Sequence, residues 1–282
     1  MKHQLAVRVG PAKFRIGSAW RAPIAALSAL YADYPPVTTV PDFTVRLEPT
    51  RPWRRWLRPA VAIGGDYRLP EAAPLPLAQG LLAAEMAMNL QMALGWRRHL
   101  LLHAGVVERD GRALVLTGAS GSGKSTLAAL LARQGWRFLG DEFALLDPAT
   151  GTLAPFPRPV SLKNESIALF DGGHRWGPLL RGTPKGDIRH LVPDSEALAA
   201  MDQPATPALI VFPSFGFTEA VRAVPPSEAF VRLTQASTNY TALGEAGFAA
   251  LTRLIGEVPA VAVDYPDTAT ALRLIDMLWS AQ

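Results

Sequence analysis

Cysteine is absent from the 282 residues, which excludes a disulfide framework, a thiolate metal site and a cysteine nucleophile. Charge is sparse: Asp, Glu, Lys and Arg make up 18% of the chain against 49% apolar residues. That balance excludes intrinsic disorder as the general description. Long apolar runs are also missing. Arg, Pro or Gly interrupts each one before the roughly 20 residues that a bilayer span needs, so no transmembrane segment is expected. The opening stretch, MKHQLAVRVGPAKFRIG, starts basic but has no continuous apolar core and no small-residue cleavage site. A secretory signal is therefore not expected, and the cytoplasm is the expected location.

The length suits one large domain, or a domain of about 180–200 residues with a smaller companion. Net charge is +4, from 28 Lys and Arg against 24 Asp and Glu. This points weakly to anionic partners, and a nucleotide satisfies it as well as nucleic acid does. The densest cationic tract is RPWRRWLRP, where Arg51, Arg54, Arg55 and Arg58 interleave with Trp53 and Trp56. Read functionally, it is a docking surface for an acidic peptide, a membrane face or single-stranded nucleic acid. The plainer reading, preferred on sequence, is a solvated loop whose two Trp side chains pack on the domain below. No nucleic-acid motif accompanies the tract, so nucleic acid is not an expected partner.

Patterning divides the chain near residue 75. Residues 5–17 read as two short strands around Gly10-Pro11, 22–32 as a helix, and 41–49 as a strand alternating at Phe43, Val45 and Leu47. Residues 59–65 read as another strand. A Pro-rich linker is expected over 69–76, then a largely apolar helix over 77–94. The expectation is a small α+β region over 1–75 and a larger α/β domain over 76–282. In the latter, 99–108 and 112–118 read as strands joined at Asp110-Gly111, a strong hairpin signal. A helix over 127–134 and a short strand over 136–140 follow. Residues 145–195 are rich in Pro and Gly and lack periodicity, and long segments of that kind are often functional. A buried strand (208–212), helices (about 226–236 and 244–256), a last strand (261–265) and a last helix opening at Asp267 complete the chain. The polar cluster Ser237 to Tyr240 reads as turn and cap chemistry.

The motif that carries chemistry is Gly118-Ala119-Ser120-Gly121-Ser122-Gly123-Lys124-Ser125-Thr126. It fits the phosphate-binding pattern G-x-x-x-x-G-K-S/T, with an apolar strand before it and a helix after it. Successive backbone N–H groups in a Gly-rich turn and the positive end of the next helix bind concentrated negative charge without a bulky side chain in the way. Lys124 is placed to reach β- and γ-phosphates, and Ser125 to offer its hydroxyl to Mg²⁺. Asp141 and Glu142 follow Lys124 by 17 and 18 residues, enough for a helix, a turn and a strand returning as a parallel neighbour of the first. Parallel neighbours end on one sheet edge, where ligands bind. Two adjacent carboxylates there can divide labour, one holding Mg²⁺ and the other accepting a proton from an attacking hydroxyl. His103, on the strand before the loop, is expected opposite residues 116–118. A protonated imidazole there could stabilise phosphoryl charge, or a neutral one could orient Asp141.

The run LLHAGVVERDGRALVLTGASGSGKSTLAALLARQGWRFLGDEFALL resembles the catalytic core of HPr kinase/phosphorylase. The shared features are His103, Gly105, the hairpin, Gly118 to Ser125, Arg133, Gly135 and Asp141-Glu142, over about residues 99–165. The whole chain looks still more like the HPr kinase-related proteins of the kinase A group. The resemblance implies an α/β fold shared with phosphoenolpyruvate carboxykinase, a P-loop core with a mixed sheet. It implies transfer of a γ-phosphoryl group from ATP to a serine hydroxyl. It makes Asp141 the proton acceptor, Lys124 the phosphate lysine, Ser125 a Mg²⁺ ligand and His103 the site histidine. Glu142 stands where the family usually has Asp, and is long enough to reach a metal-bound water. The family's Leu-Glu-x-Arg-Gly-x-Gly signature is not recognisable, and SLKNES (161–166) occupies about its place. Glu165 is thereby a candidate metal ligand and Lys163 a candidate phosphate or substrate contact. Residues 183–189 stand as a cationic loop, with Lys185 and Arg189 the candidates to meet the γ-phosphate.

The leading expectation is an ATP- and Mg²⁺-dependent kinase acting on a serine or threonine hydroxyl of a small protein or peptide. Two alternatives stand beside it. One is a nucleotide-binding regulatory protein with little turnover, motivated by the missing second signature. The other is a small-molecule kinase acting on an amino acid or a polyol. Self-association is compatible with the resemblance, but no segment specifies a stoichiometry.

Overall fold

Alternating apolar residues fold the N-terminal third into a sheet. The computed structural model describes residues 2–69, 72–170 and 172–282, and the chain divides into two units. The first runs up to Trp96 and takes in Ser161–Val192, and the second comprises Arg97–Val160 and Pro193–Gln282. The first opens with β1 (His3–Val9), β2 (Ala12–Ser18), α1 (Arg21–Leu30), β3 (Phe43–Pro49), β4 (Ala60–Gly65), β5 (Leu75–Pro76) and α2 (Gly80–Gly95). Sheet order is β1-β2-β3-β4-β5, with β2 and β3 parallel and the other neighbours antiparallel. Phe14, Ile16, Val45 and Leu47 are fully buried beneath α1 and α2, which pack on this sheet and on each other. The boundary expected between residues 75 and 76 therefore falls inside this unit, because α2 completes the N-terminal core. The linker expected over 69–76 contains residues 70 and 71, which lie outside the described residues.

The tract Arg51–Arg58 corrects the plainer reading. It forms a single 3₁₀ turn over Pro52–Arg55, and its tryptophans do not pack inward: Trp53 is 52% and Trp56 76% exposed.

The second unit starts with β6 (Leu100–Leu102), β7 (Ala104–Arg109), β8 (Arg112–Thr117), α3 (Lys124–Arg133), β9 (Arg137–Gly140), β10 (Ala144–Leu146) and β11 (Leu153–Ala154). Asp110 and Gly111 join β7 to β8 with left-handed φ values of 57° and 77°, the pair a two-residue type I′ turn requires. The chain then runs through β12 (Val160–Lys163), β13 (Leu180–Thr183) and β14 (Gly186–Leu191), a three-stranded sheet in order β12-β14-β13. It returns to the second unit with α4 (Ser195–Ala199), β15 (Thr206–Phe215), β16 (Ala220–Ala223), α5 (Pro226–Ala236), α6 (Tyr240–Glu257), β17 (Ala260–Tyr265) and α7 (Thr268–Ser280). The region expected to lack periodicity thus holds β11 to β14.

The second unit's main sheet is mixed, in order β16-β17-β15-β8-β7-β9. β15 runs parallel to both β8 and β17, while β7 is antiparallel to β8 and β9 antiparallel to β7. Strand side chains alternate between faces. Ala104, Val106, Ala113, Val115, Ile210 and Phe212 join one core with Leu233, Leu251 and Leu254 of α5 and α6. On the other face Gly105 meets Ala128 of α3. Two expectations need correction here. The strand expected over 99–108 is two strands in two sheets, since β6 pairs with β10 and the break falls at His103. And β9 is not the parallel neighbour of β8: β7 lies between them, although two antiparallel steps leave β9 pointing the same way as β8. The α/β expectation holds as a mixed α/β fold with several sheets. Among the described residues no helix is long and apolar enough to cross a membrane.

Candidate functional site

The loop from Gly118 to Thr126 leaves the end of β8 and enters α3. Gly118, Gly121 and Gly123 have φ values of 145°, 85° and 94°, conformations that a side chain rarely adopts. At Gly123 the requirement is also spatial, because a Cβ there would stand 2.7 Å from the hydroxyl oxygen of Tyr265. Gly123 caps α3, and its carbonyl accepts from the Leu127 N–H at 2.8 Å. Lys124, the first residue of α3, is buried. Its ammonium donates to the carbonyls of Gly118 at 2.9 Å and Ala119 at 2.7 Å. The lysine thereby ties both ends of the loop together, and its charge rests on carbonyl dipoles. Ala119, Ser120 and Gly121 are exposed at the tip, while Ser125 and Thr126 are half-buried in the first turn of the helix.

Asp141 arrives from the other side of β7. β8 and β9 point the same way, so the ends carrying Gly118 and Asp141 share one edge of the sheet. Gly105 on β7 lies between them. A Cβ at Gly105 would be 3.1 Å from the Ala128 methyl, 3.4 Å from the Lys124 carbonyl oxygen and 3.7 Å from Asp141 Oδ1. A buried carboxylate and the first turn of the loop's helix therefore both flank Gly105, a residue with no side chain. His103 adjoins them: Ala104 pairs with Thr117, and the Thr117 hydroxyl donates to the His103 carbonyl at 3.0 Å. His103 Nδ1 is 3.9 Å from Glu142 Oε2, and both side chains are partly exposed. Its backbone N–H donates to the Ala236 carbonyl at 2.8 Å, which takes this residue out of both sheets and marks the point where the chain switches between them.

Sequence reasoning missed Tyr265 and Phe215. They end β17 and β15, the two strands parallel to β8, and so reach the same edge. The buried Tyr265 hydroxyl donates to the Ser122 carbonyl at 3.3 Å, and burial pushes its pKa up to about 12. Phe215 meets the Tyr265 ring edge-on at 5.9 Å between centroids and is itself exposed. The available signal was the parallel edge itself, since ligand-facing residues in open α/β sheets collect at strand C-termini.

The remaining candidates belong to the first unit. Glu165 is exposed in a 3₁₀ turn over Asn164–Leu169. Lys185 is exposed in the tight turn between β13 and β14, its N–H donating to Thr183 Oγ1 at 3.2 Å. Arg189 is engaged locally, donating from Nε to the Gly177 carbonyl at 3.1 Å and lying 4.8 Å over the Trp176 ring. What was expected as a cationic loop over 183–189 is a β-hairpin turn and its second strand.

The donor chemistry of the shared edge suits a hard cation. Ser125 offers a hydroxyl, Asp141 and Glu142 carboxylate oxygens, and Mg²⁺ characteristically combines one or two carboxylates with substrate phosphates and water. Among the described residues no three His, Asp or Glu side chains form a ready-made cage. No protein-family model and no curated protein matches the chain.

Proposed function

We propose that this chain is an ATP- and Mg²⁺-dependent phosphotransferase with an HPr kinase-like P-loop core, acting on a serine or threonine hydroxyl of a small protein or peptide. The observation that carries the reading is that Asp141 and the first turn of α3 both flank Gly105. The loop's N–H groups and the start of α3 take the charge of the triphosphate. Lys124 exchanges its two carbonyl partners for β- and γ-phosphate oxygens. Mg²⁺, held by Ser125 and Glu142, would neutralise phosphate charge. Asp141 accepts the acceptor's hydroxyl proton as the hydroxyl oxygen bonds to the γ-phosphorus. The bond to the β,γ-bridging oxygen breaks, and its electron pair leaves with ADP. His103, next to Glu142, orients the acidic pair. Positioning and electrostatics supply most of the rate in such transfers.

The test is transfer from γ-labelled ATP with Mg²⁺ to candidate proteins, peptides, amino acids and polyols, beside a direct ATP titration. Asp141→Asn is expected to keep nucleotide binding while transfer falls about 10²–10⁴-fold, the usual contribution of a positioned base. Lys124→Ala should weaken ATP binding and transfer together. Unchanged transfer by Asp141→Asn removes that residue from the chemistry. ATP binding with no transfer to any acceptor favours the regulatory alternative, and transfer confined to amino acids or polyols favours the small-molecule kinase.

A further inference from the structure

The first unit carries a surface whose chemistry the glycine loop does not use. Between β3 and β4 the 3₁₀ turn and the two residues after it hold Trp53 at 52%, Trp56 at 76% and Leu57 at 67% exposure, three large apolar side chains in five residues. Arg51, Arg54, Arg55 and Arg58 surround them, and the tract contains no acid. The Arg51 guanidinium lies 5.4 Å over the Trp53 ring and that of Arg55 5.6 Å over Trp56. No carboxylate pairs with any of the four guanidiniums among the described residues. Arg54 donates instead to the Arg58 carbonyl at 3.1 Å and Arg55 to the Ala19 carbonyl at 3.1 Å.

The turn is also firmly built. Trp20 Nε1 donates to the Arg55 carbonyl at 2.9 Å, the Ala19 N–H donates to the Leu47 carbonyl at 3.0 Å, and the N–H groups of Trp56 and Leu57 donate to the Trp53 carbonyl at 3.1 and 3.0 Å. Arg58, with a left-handed φ of 45°, closes it. Exposed tryptophan and leucine on an ordered turn have not been left out of the core by slack, because the backbone that presents them is fixed before any partner arrives. Ordering entropy on binding is correspondingly small.

We infer that this turn is a docking surface for an anionic lipid membrane, independently of what the glycine loop binds. The pattern matches an interface in each part. Indole rings prefer the headgroup level, arginines reach phosphates while their stems lie along apolar surface, and Leu57 is positioned to enter the acyl boundary. A run of four cations that pair with no carboxylate among the described residues complements anionic headgroups. The alternatives fit less well. The cleft beside the turn, lined by Arg58, Pro59, Ala60 and residues 74–78, offers an acidic peptide one cation and none of the exposed indoles. Single-stranded nucleic acid stacks on open ring faces, but one face of each Trp already carries a guanidinium, and Leu57 has no counterpart in base recognition.

The experiment is co-sedimentation of the full-length protein with vesicles of phosphatidylcholine alone and of phosphatidylcholine with about 30% phosphatidylserine, at physiological salt. Binding is expected to the second and to weaken as salt rises. Trp56→Ala with Leu57→Ser should lower partitioning about tenfold or more, and Arg54→Glu with Arg58→Glu should abolish it. Trp56, Leu57 and Arg58 are exposed and Arg54 is half-buried; the melting temperature of the Trp56→Ala with Leu57→Ser variant should stay that of the parent, which separates lost docking from lost folding, and the charge-reversed pair is a second, independent readout. Absence of binding to phosphatidylserine vesicles overturns the inference, as does equal binding by both double variants. Binding to poly-glutamate or a single-stranded oligonucleotide in place of the vesicles overturns it in favour of that class of partner.

Discussion

Lys124 and the four arginines of residues 51–58 place positive charge in opposite settings. Lys124 is buried, and two carbonyls hold its ammonium within a loop whose glycines adopt conformations other residues avoid. Of the arginines, Arg51 and Arg58 are exposed and Arg54 and Arg55 half-buried, beside exposed indoles. At the sheet edge the buried side chains of Lys124, Thr117 and Tyr265 each donate to a backbone carbonyl, and removing one leaves its acceptor without that donor. On the turn, water replaces the exposed Trp56 and Leu57 side chains when they are removed. The same residue chemistry therefore has a structural role in one region and only an interaction role in the other. Perturbations that treat the two alike are the way to break this contrast.

The sharpest perturbation is Asn239. Its side chain is buried, with Oδ1 accepting from the Leu101 N–H at 2.9 Å and Nδ2 donating to the His99 carbonyl at 2.9 Å. These two bonds fix β6, the strand that delivers His103 to the site. Asn239→Ala strands both backbone groups, and at about 1–3 kcal/mol for each buried orphan the loss should be about 3 kcal/mol. Denaturant unfolding measures it. Trp56→Ala, by contrast, should stay within about 0.5 kcal/mol of the parent, as for other surface substitutions away from special features. Equal losses would erase the distinction between the two regions.

Asn239 also shows what the sequence could and could not reveal. The stretch Ser237 to Tyr240 was legible as cap chemistry, and Ser237 Oγ does accept from the Tyr240 N–H at 3.1 Å. That its neighbour reaches back across the chain to Leu101 was not, because no local pattern encodes a partner 138 residues away. The same division runs through the fold. The hairpin at Asp110-Gly111 and the glycine loop opening α3 are local chemistry, written in consecutive residues. The split of 99–108 into β6 and β7 is not: β6 is three residues long and pairs with β10, Ala144 opposite Leu102, too short for any periodicity to register. β7 entering between β8 and β9 is likewise a decision of tertiary packing. So is the recruitment of residues 161–192 into the N-terminal unit. Tyr265 looked ordinary at the end of an apolar strand until β17 and β15 were found parallel to β8.

The next perturbation in size is Gly123. Alanine there faces two penalties: a φ of 94° and a Cβ 2.7 Å from the Tyr265 hydroxyl oxygen. Strained backbone of this kind costs about 1–3 kcal/mol, and the clash adds to it unless the tyrosine moves. Gly123→Ala should lose about 2 kcal/mol by thermal or denaturant unfolding. Gly123→Ala with Tyr265→Phe should recover only the part due to the clash, because deleting the hydroxyl removes the obstructing atom and leaves the dihedral strained. Full recovery would mean that backbone conformation is not what demands glycine at the entrance to α3.

Tyr265→Phe alone is the mildest change at the sheet edge. At neutral pH it gives up one long hydrogen bond to the Ser122 carbonyl, a loss of about 0.5–1 kcal/mol. Its consequence should show at high pH instead. Burial raises the Tyr265 pKa from an ordinary 10 to about 12, so the folded chain keeps the proton over a range in which the unfolded chain has released it. Below pH 10 this group adds no pH dependence to stability. Between about 10 and about 12 the unfolded state binds fewer protons than the folded one, and stability falls as pH rises. The phenylalanine variant has nothing to ionise there and should show a shallower alkaline decline, read from denaturation curves across that range. An identical decline in the two proteins would mean that the hydroxyl beneath Gly123 reaches solvent. The sheet edge would then share, at that point, the forgiving character of the Arg51–Arg58 turn.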